Sequence, residues 1–168
     1  YSIEDFNAGR IVRQDIYFSE NNRLWKGRNL YQYLVVELPD ETNPKNNILL
    51  LVPGIGHSAG DMDRIKEELE RLKIPGYDVV IAYYPNDQRI DLSGGLLGRT
   101  LDFTFEKHYS PDSRAFFIAQ SMGGVVSRSL LEGIALYGDD SSQRIVPPYQ
   151  RAIGHMGIGV PNDGAAIA

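Results

Sequence analysis

Residues 115–133 read AFFIAQSMGGVVSRSLLEG, and this stretch decides the fold. Residues 116–119, extended back to Arg114, form an apolar run typical of a strand buried on both faces of a parallel sheet. Residues 122–137 carry apolar side chains at helical spacing. Ser121 stands between the two patterns, so the sequence predicts a strand that turns directly into a helix at this serine.

The same alternation continues on both sides of this stretch. Further strand-length apolar runs are residues 48–52, 78–84 and 152–158, each predicted to be a buried strand. Helical patterns occupy residues 60–73 and, more weakly, residues 96–108, while the polar, Gly-rich residues 87–95 indicate a loop. Two earlier strands are predicted within residues 10–19 and 31–38. Alternating strands and helices predict an α/β fold with a mostly parallel sheet, helices on both faces and an antiparallel hairpin at one edge.

Composition sets limits on the class of protein. The 168 residues have 42% apolar and 23% charged residues, which is ordinary for a globular domain, and no internal repeat or linker divides them. We therefore expect residues 1–168 to form a single domain. A net charge of -5 argues against general nucleic-acid binding. No apolar run reaches the ~18 residues needed to cross a bilayer. The absence of cysteine excludes disulfides and a cysteine nucleophile.

Ser121 is the strongest candidate for a catalytic residue. A serine in a tight strand-to-helix turn has its hydroxyl above the carboxyl edge of the sheet, and the helix N-terminus behind it favours a developing negative charge. Ala119 and Gly123, two positions before and after it, are small enough for neighbouring backbones to pass closely. The plainer alternative is a serine that only caps a crossover helix.

This stretch resembles the nucleophile elbow of the α/β-hydrolase superfamily, in its lipase and serine esterase branch, where Ser-Met-Gly-Gly is frequent. Ala119 stands where the family usually has glycine. The resemblance covers residues 31–164. It implies that Ser121 is the nucleophile of a serine hydrolase that cleaves carboxylic esters through an acyl-enzyme.

A second motif, Leu-Val-Pro-Gly-Ile-Gly-His at residues 51–57, follows a predicted buried strand. In the family this loop commonly begins His-Gly, and the residue after the glycine donates a backbone N–H to the oxyanion. The resemblance therefore implies that Ile55 and Met122 are the two oxyanion-hole donors, with Pro53 in place of the usual histidine. A plain Gly-rich loop is the alternative.

A third motif, Gly-Ile-Gly-Val-Pro-Asn-Asp-Gly at residues 157–164, resembles the turn that follows the sixth strand in many lipases. By that resemblance residues 159–168 are the root of a cap or lid segment. Asp163 lies where a few lipases place their catalytic acid, although its neighbours are turn-forming residues.

The remaining members of a catalytic triad are not evident. A serine hydroxyl needs a base, usually a histidine oriented by an acid, and in this family both follow the nucleophile in the chain. His57 and His108 precede Ser121, and His155 falls inside a predicted strand, where a hydrogen-bonded structural role is expected. The acid and the histidine are expected beyond Ala168, so the sequence reads as a fragment whose C-terminal strands are absent.

Two other functions stay open at this stage. One is a catalytically inactive α/β-hydrolase-like binding domain, and the other is an acyltransferase or amidase on the same fold. We expect a small-molecule ester or lipid substrate, no metal and no organic cofactor. The sequence indicates neither the compartment nor the oligomeric state.

Overall fold

The computed structural model of the protein describes residues 11–14, 34–54, 60–84, 89–132 and 149–161, which contain six strands and three helices. The strands are β1 (Ile11–Gln14), β2 (Leu34–Glu37), β3 (Asn47–Val52), β4 (Tyr77–Tyr83), β5 (Ala115–Gln120) and β6 (Ala152–Ile158). The helices are α1 (Gly60–Leu72), α2 (Ile90–His108) and α3 (Met122–Glu132).

The strands form one sheet in the order β1-β2-β4-β3-β5-β6. β3 pairs in parallel with both β4 and β5, and β5 pairs in parallel with β6. β2 is antiparallel to both β1 and β4. The predicted mostly parallel sheet with an antiparallel pair at one edge is therefore confirmed.

Both faces of the sheet are covered by helices, as the apolar runs predicted. Residues of β3 alternate between two buried clusters. Ile48, Leu50 and Val52 pack on one face with side chains of α2 and α3, whereas Leu49 and Leu51 pack on the other face with side chains of α1. Because both faces are buried, the strand carries no alternation of polar and apolar residues.

A buried carboxylate holds the amino edge of the sheet together. Asp78, near the start of β4, is 8% exposed. It accepts hydrogen bonds from the main-chain N–H of Asn43 at 3.1 Å, the side-chain amide of Asn46 at 2.7 Å and the hydroxyl of Tyr109 at 3.0 Å. These contacts tie the turn before β3 and the residue after α2 to β4, at the opposite edge from the carboxyl ends of the parallel strands.

The second helix starts earlier than its apolar pattern predicts. Residues 87–95 were expected to be a loop because they are polar and contain glycine, but α2 begins at Ile90. A Cβ atom placed on Gly94 would lie 3.0 Å from the carbonyl oxygen of Val126 in α3. The glycine therefore allows two helices to approach closely, and the prediction of a loop there was wrong.

The last strand is less buried than predicted. Ile153, Met156 and Ile158 are 50%, 51% and 41% exposed. Within the described residues β6 pairs with β5 alone, and the pairing shifts by one residue at its start, where Ala152 faces Ala115 but Gly154 faces Phe116. Within the described residues β6 is therefore an edge strand with apolar side chains at its surface.

Parts of several predicted elements lie outside the described residues. They are residues 15–19 and 31–33 of the two leading strands and residues 133–137 of the helix after Ser121. Among the helices described, none is long and apolar enough to span a membrane.

Candidate active site

Ser121 is the single residue between the end of β5 and the start of α3. Its φ is +50°, in the left-handed region of backbone conformation that residues other than glycine rarely adopt. The Ser121 N–H donates to the carbonyl oxygen of Ile158 at 2.9 Å, and its own carbonyl accepts from the Gly124 N–H at 3.0 Å. The parallel pairing with β6 thus continues up to the serine, and the first helical turn begins immediately after it. The predicted turn directly from strand to helix is present.

The small residues around this turn are needed for close packing. A Cβ atom on Gly123 would lie 2.2 Å from the carbonyl oxygen of Pro53 and 2.3 Å from that of Val52. Real side chains do not approach main-chain atoms so closely, so only glycine fits there. Ala119, two residues before the serine, is fully buried. The end of β3 therefore passes directly against the start of α3.

The chain leaving β3 also contacts the serine itself. A Cβ atom on Gly54 would lie 2.8 Å from the Cβ and 3.4 Å from the Oγ of Ser121. Ile55, the first of the two candidate oxyanion donors, lies outside the described residues. Met122, the second, is the first residue of α3 and is half-buried. The first N–H groups of a helix have no intrahelical acceptor, so the main chain at Met122 brings hydrogen-bond donors beside Ser121.

The turn after β6 packs on the same helix start. The side chain of Val160 occupies the space above Gly124, where a Cβ atom would lie 2.1 Å from the Val160 Cγ2. Gly159 has a φ of +58° and turns the chain away from the strand. Of residues 159–168, the predicted root of a cap segment, residues 162–168, which include Asp163, lie outside the described residues.

The described histidines lie away from the candidate nucleophile. His155 faces Phe117 in the sheet, four residues before Ser121, which corresponds to about 13 Å along a strand. Its Nε2 is 2.8 Å from the Oγ of Ser127, a fully buried hydroxyl that also donates to a carbonyl of α3. The hydrogen bond expected for His155 is therefore present. His108 ends α2 at the opposite edge of the sheet.

Burial lowers the pKa of both described histidines. For His155 the Arg128 guanidinium lowers the pKa further, while the Glu132 carboxylate raises it. For His108 the neighbouring Lys107 adds to the effect of burial. Both imidazoles therefore remain neutral down to a lower pH than a free histidine does. His57, which precedes α1, lies outside the described residues.

An open cleft lies along the exposed side of α3, beginning one turn after the serine. Its volume is about 500 Å³. Its walls come from the start of α2 and the residue before it, from one side of α3 and from the turn after β6. They include the ion pairs Arg89–Asp91 and Arg128–Glu132. The lining residues are Arg89, Ile90, Asp91, Val125, Arg128, Ser129, Glu132 and Pro161. Among the described residues, no three side chains of metal-binding type lie together.

One contact at this edge was not anticipated from the sequence. The Tyr84 hydroxyl, at the end of β4, donates to the carbonyl oxygen of Pro53 at 2.8 Å. The sequence places Tyr83, Tyr84 and Pro85 at the end of a strand where they could border the site, although aromatic residues there are more often explained by packing. A tyrosine rather than a phenylalanine at a buried strand end was the only signal, because a buried hydroxyl requires a partner.

Comparison with known proteins gives a likeness in structure without one in sequence. No protein-family model and no curated protein sequence matches the chain. Among solved structures, esterase 2 of Thermogutta terrifontis phosphonylated by cyclosarin matches with a TM-score of 0.52 at 13% identity, over 76% of this chain and 51% of that one. The same esterase phosphoramylated by tabun and phosphorylated by paraoxon matches with TM-scores of 0.50 and 0.50, each at 13% identity and over 76% of this chain.

The chain spans about half the length of these esterase structures, 51% and 52% for the tabun and paraoxon forms. At this identity the likeness concerns the fold alone. Together with the mostly parallel sheet and the helices on both of its faces, it shows that the chain has the α/β-hydrolase fold.

Proposed function

We propose that the protein is a serine hydrolase that cleaves carboxylic esters, with Ser121 as its nucleophile. The observation that carries this proposal is the backbone of Ser121, which holds a φ of +50° in a one-residue turn between β5 and α3. Such a conformation costs about 1–3 kcal/mol and persists where the surrounding structure enforces it, which is frequent at active sites. A serine that only capped a helix would have an ordinary extended backbone.

The proposed reaction is the acyl-enzyme chemistry that the resemblance to serine hydrolases implies. The Ser121 Oγ attacks the ester carbonyl carbon and gives its proton to a base, and the tetrahedral oxyanion accepts hydrogen bonds from the main-chain N–H groups of Ile55 and Met122. Collapse of this intermediate breaks the bond to the alcohol, which takes up the proton, and leaves an acyl group on Ser121. Water attacks the acyl carbon with the help of the same base, which releases the acid and the free serine.

The fold supports the proposed substrate class. The matching structures are of an esterase. We therefore propose a small or lipid-derived carboxylic ester as substrate. A main-chain oxyanion hole beside Ser121 would contribute about 3 kcal/mol per donor to transition-state stabilisation.

Paraoxon gives a direct test, because the Thermogutta esterase is phosphorylated by it. The full-length protein is incubated with paraoxon, and its peptides are analysed by mass spectrometry alongside turnover of p-nitrophenyl butyrate. We expect one diethylphosphoryl group on Ser121 and loss of turnover. Ser121→Ala should be neither labelled nor active, while Ser113→Ala, at the opposite edge of the sheet, should behave like the wild type.

Two results would contradict the proposal. Turnover that survives in Ser121→Ala would remove Ser121 from the mechanism. Absence of both labelling and turnover in the folded wild-type protein would favour the alternative of an inactive binding domain on the same fold.

A further inference from the structure

The tyrosine at the end of β4 contacts the loop beside the candidate nucleophile. Tyr84 is 7% exposed, and its hydroxyl donates to the Pro53 carbonyl oxygen at 2.8 Å. We propose that Tyr84 is a positioning residue, whose hydroxyl fixes the Pro53–Gly54 segment against Ser121 for ester hydrolysis. This inference rests on the proposed function.

The hydrogen bond acts on the one torsion of Pro53 that is otherwise free. The proline ring fixes φ, and the peptide bonds are planar, so ψ alone decides where the Pro53 carbonyl points and where the chain continues. The Tyr84 hydroxyl binds this carbonyl oxygen. Gly123 also lies close to this oxygen, since a Cβ atom there would lie 2.2 Å from it. The carbonyl is therefore close both to a hydroxyl and to the start of α3.

The fixed carbonyl sets the position of the next residue. Gly54 has wide conformational freedom of its own, yet it must lie against Ser121, with only 2.8 Å between a Cβ placed on it and the Cβ of the serine. Pro53, the residue before it, is therefore one determinant of its location. A rotation of Pro53 would move Gly54, and with it the chain that leads to the proposed oxyanion donor, relative to the serine.

The tyrosine hydroxyl is suited to this role as a permanent donor. Burial raises the pKa of Tyr84 well above that of a free phenol, so the group remains protonated throughout the pH range in which esterases work. Its ring packs in the cluster with Val52 and Ala82, so it does not depend on a mobile element. The contact joins the ends of the two adjacent parallel strands β3 and β4.

A purely structural role for Tyr84 is the competing explanation, and the chain provides a matched control. Tyr109 is also 7% exposed, and its hydroxyl donates to the Asp78 carboxylate at 3.0 Å, at the opposite edge of the sheet. Tyr84→Phe and Tyr109→Phe each remove one buried hydroxyl and leave the ring. Both should lower the free energy of unfolding, but only one should alter the site.

The test measures kcat and KM for p-nitrophenyl butyrate in the full-length protein, with active sites counted by paraoxon. We expect Tyr84→Phe to lower kcat by about tenfold or more while KM stays within about twofold, because misplacement of catalytic groups by less than 1 Å already has effects of this size. Tyr109→Phe should leave both constants unchanged. Wild-type kcat in Tyr84→Phe, or an equal loss in Tyr109→Phe, would overturn the inference.

Pro53→Ala provides a second variant that keeps the hydroxyl. It releases φ of residue 53 and leaves the carbonyl able to accept, so we expect a fall in kcat with KM nearly constant. If Tyr84→Phe fails to fold while Tyr109→Phe folds, the role of Tyr84 is structural and the inference is overturned. If the wild-type protein is neither active nor labelled by paraoxon, the proposed function fails; if it is active and these variants are too, only the role of Tyr84 fails.

Discussion

Gly54 and Ser121 lie in direct contact, so close that a Cβ atom on Gly54 would stand 2.8 Å from the Cβ of Ser121. The two residues are 67 positions apart in the chain and meet because β3 and β5 are parallel neighbours whose carboxyl ends share one edge. Parallel pairing thus brings the loop after one strand beside the turn after the next. In the proposed mechanism Ser121 is the nucleophile, and Gly54 directly precedes the oxyanion donor Ile55.

We expect Gly54→Ala to abolish most of the activity. The added methyl group cannot be accommodated unless Ser121 or the loop moves, and a displacement of about 1 Å in an active site can lower kcat by about 100-fold. The measurement is kcat for p-nitrophenyl butyrate together with the rate of labelling by paraoxon, which should fall in parallel.

Gly98→Ala serves as the control for this substitution. A Cβ atom on Gly98, in α2, would lie 2.7 Å from the Cδ1 of Leu130, the flexible end of a side chain that can rotate away. Alanine is also the better helix former by about 1 kcal/mol, so stability should change little and activity should be retained. Full activity in Gly54→Ala would contradict the close contact with Ser121.

The strained backbone of Ser121 leads to a prediction about stability. At a φ of +50° a residue with a Cβ atom costs about 1–2 kcal/mol relative to glycine, so Ser121→Gly should be more stable than Ser121→Ala by about 1 kcal/mol. Both variants should be inactive, since both lack the hydroxyl. Urea denaturation of the two variants measures the difference.

Lys73, which has nearly the same φ, allows the cost of this backbone conformation to be measured at a second position. It follows the last residue of α1, is exposed and has a φ of +47°. Glycine is favoured at this position after a helix, so Lys73→Gly should also stabilise the protein, without loss of activity. If Lys73→Gly is stabilising but Ser121→Gly is no more stable than Ser121→Ala, the elbow at Ser121 is not strained.

Much of the fold was predictable because its strands bury both faces. Runs such as residues 48–52 have no polar positions, and this pattern together with intervening helices leaves few alternatives to a parallel sheet. The turn at Ser121 was predictable for a related reason, since a serine between a buried strand and a helical pattern, with Gly123 two residues later, is typical of a tight strand-to-helix turn. Both predictions rest on the periodicity of the apolar residues in the sequence.

The errors arise where packing between distant residues decides the outcome. Gly94 indicated a loop in the sequence, but it lies inside α2 because α3 passes against it. The contact of Tyr84 with Pro53 spans 31 residues and two loops, and no local pattern predicts it.

His155 leads to a prediction about acid stability. Burial, helped by Arg128, lowers its pKa below the ordinary value of 6.5, so the unfolded chain binds a proton at a higher pH than the folded protein does. The free energy of unfolding should therefore be independent of this group above its unfolded pKa and should fall as the pH drops through it toward the lowered folded pKa. The pKa of His108 is also lowered, so a variant is needed to isolate the contribution of His155 to the pH dependence.

His155→Gln removes the titration while keeping a polar side chain near Ser127. We expect it to be less stable than the wild type at about pH 7.5, because the imidazole contact with the Ser127 hydroxyl is lost, but to lose less further stability on acidification to about pH 5.5. Urea denaturation of both proteins at a series of pH values measures the two curves. Curves that stay parallel over this range would mean that the folded and unfolded states bind the His155 proton equally, and that its burial against α3 has no effect on the pH dependence of stability.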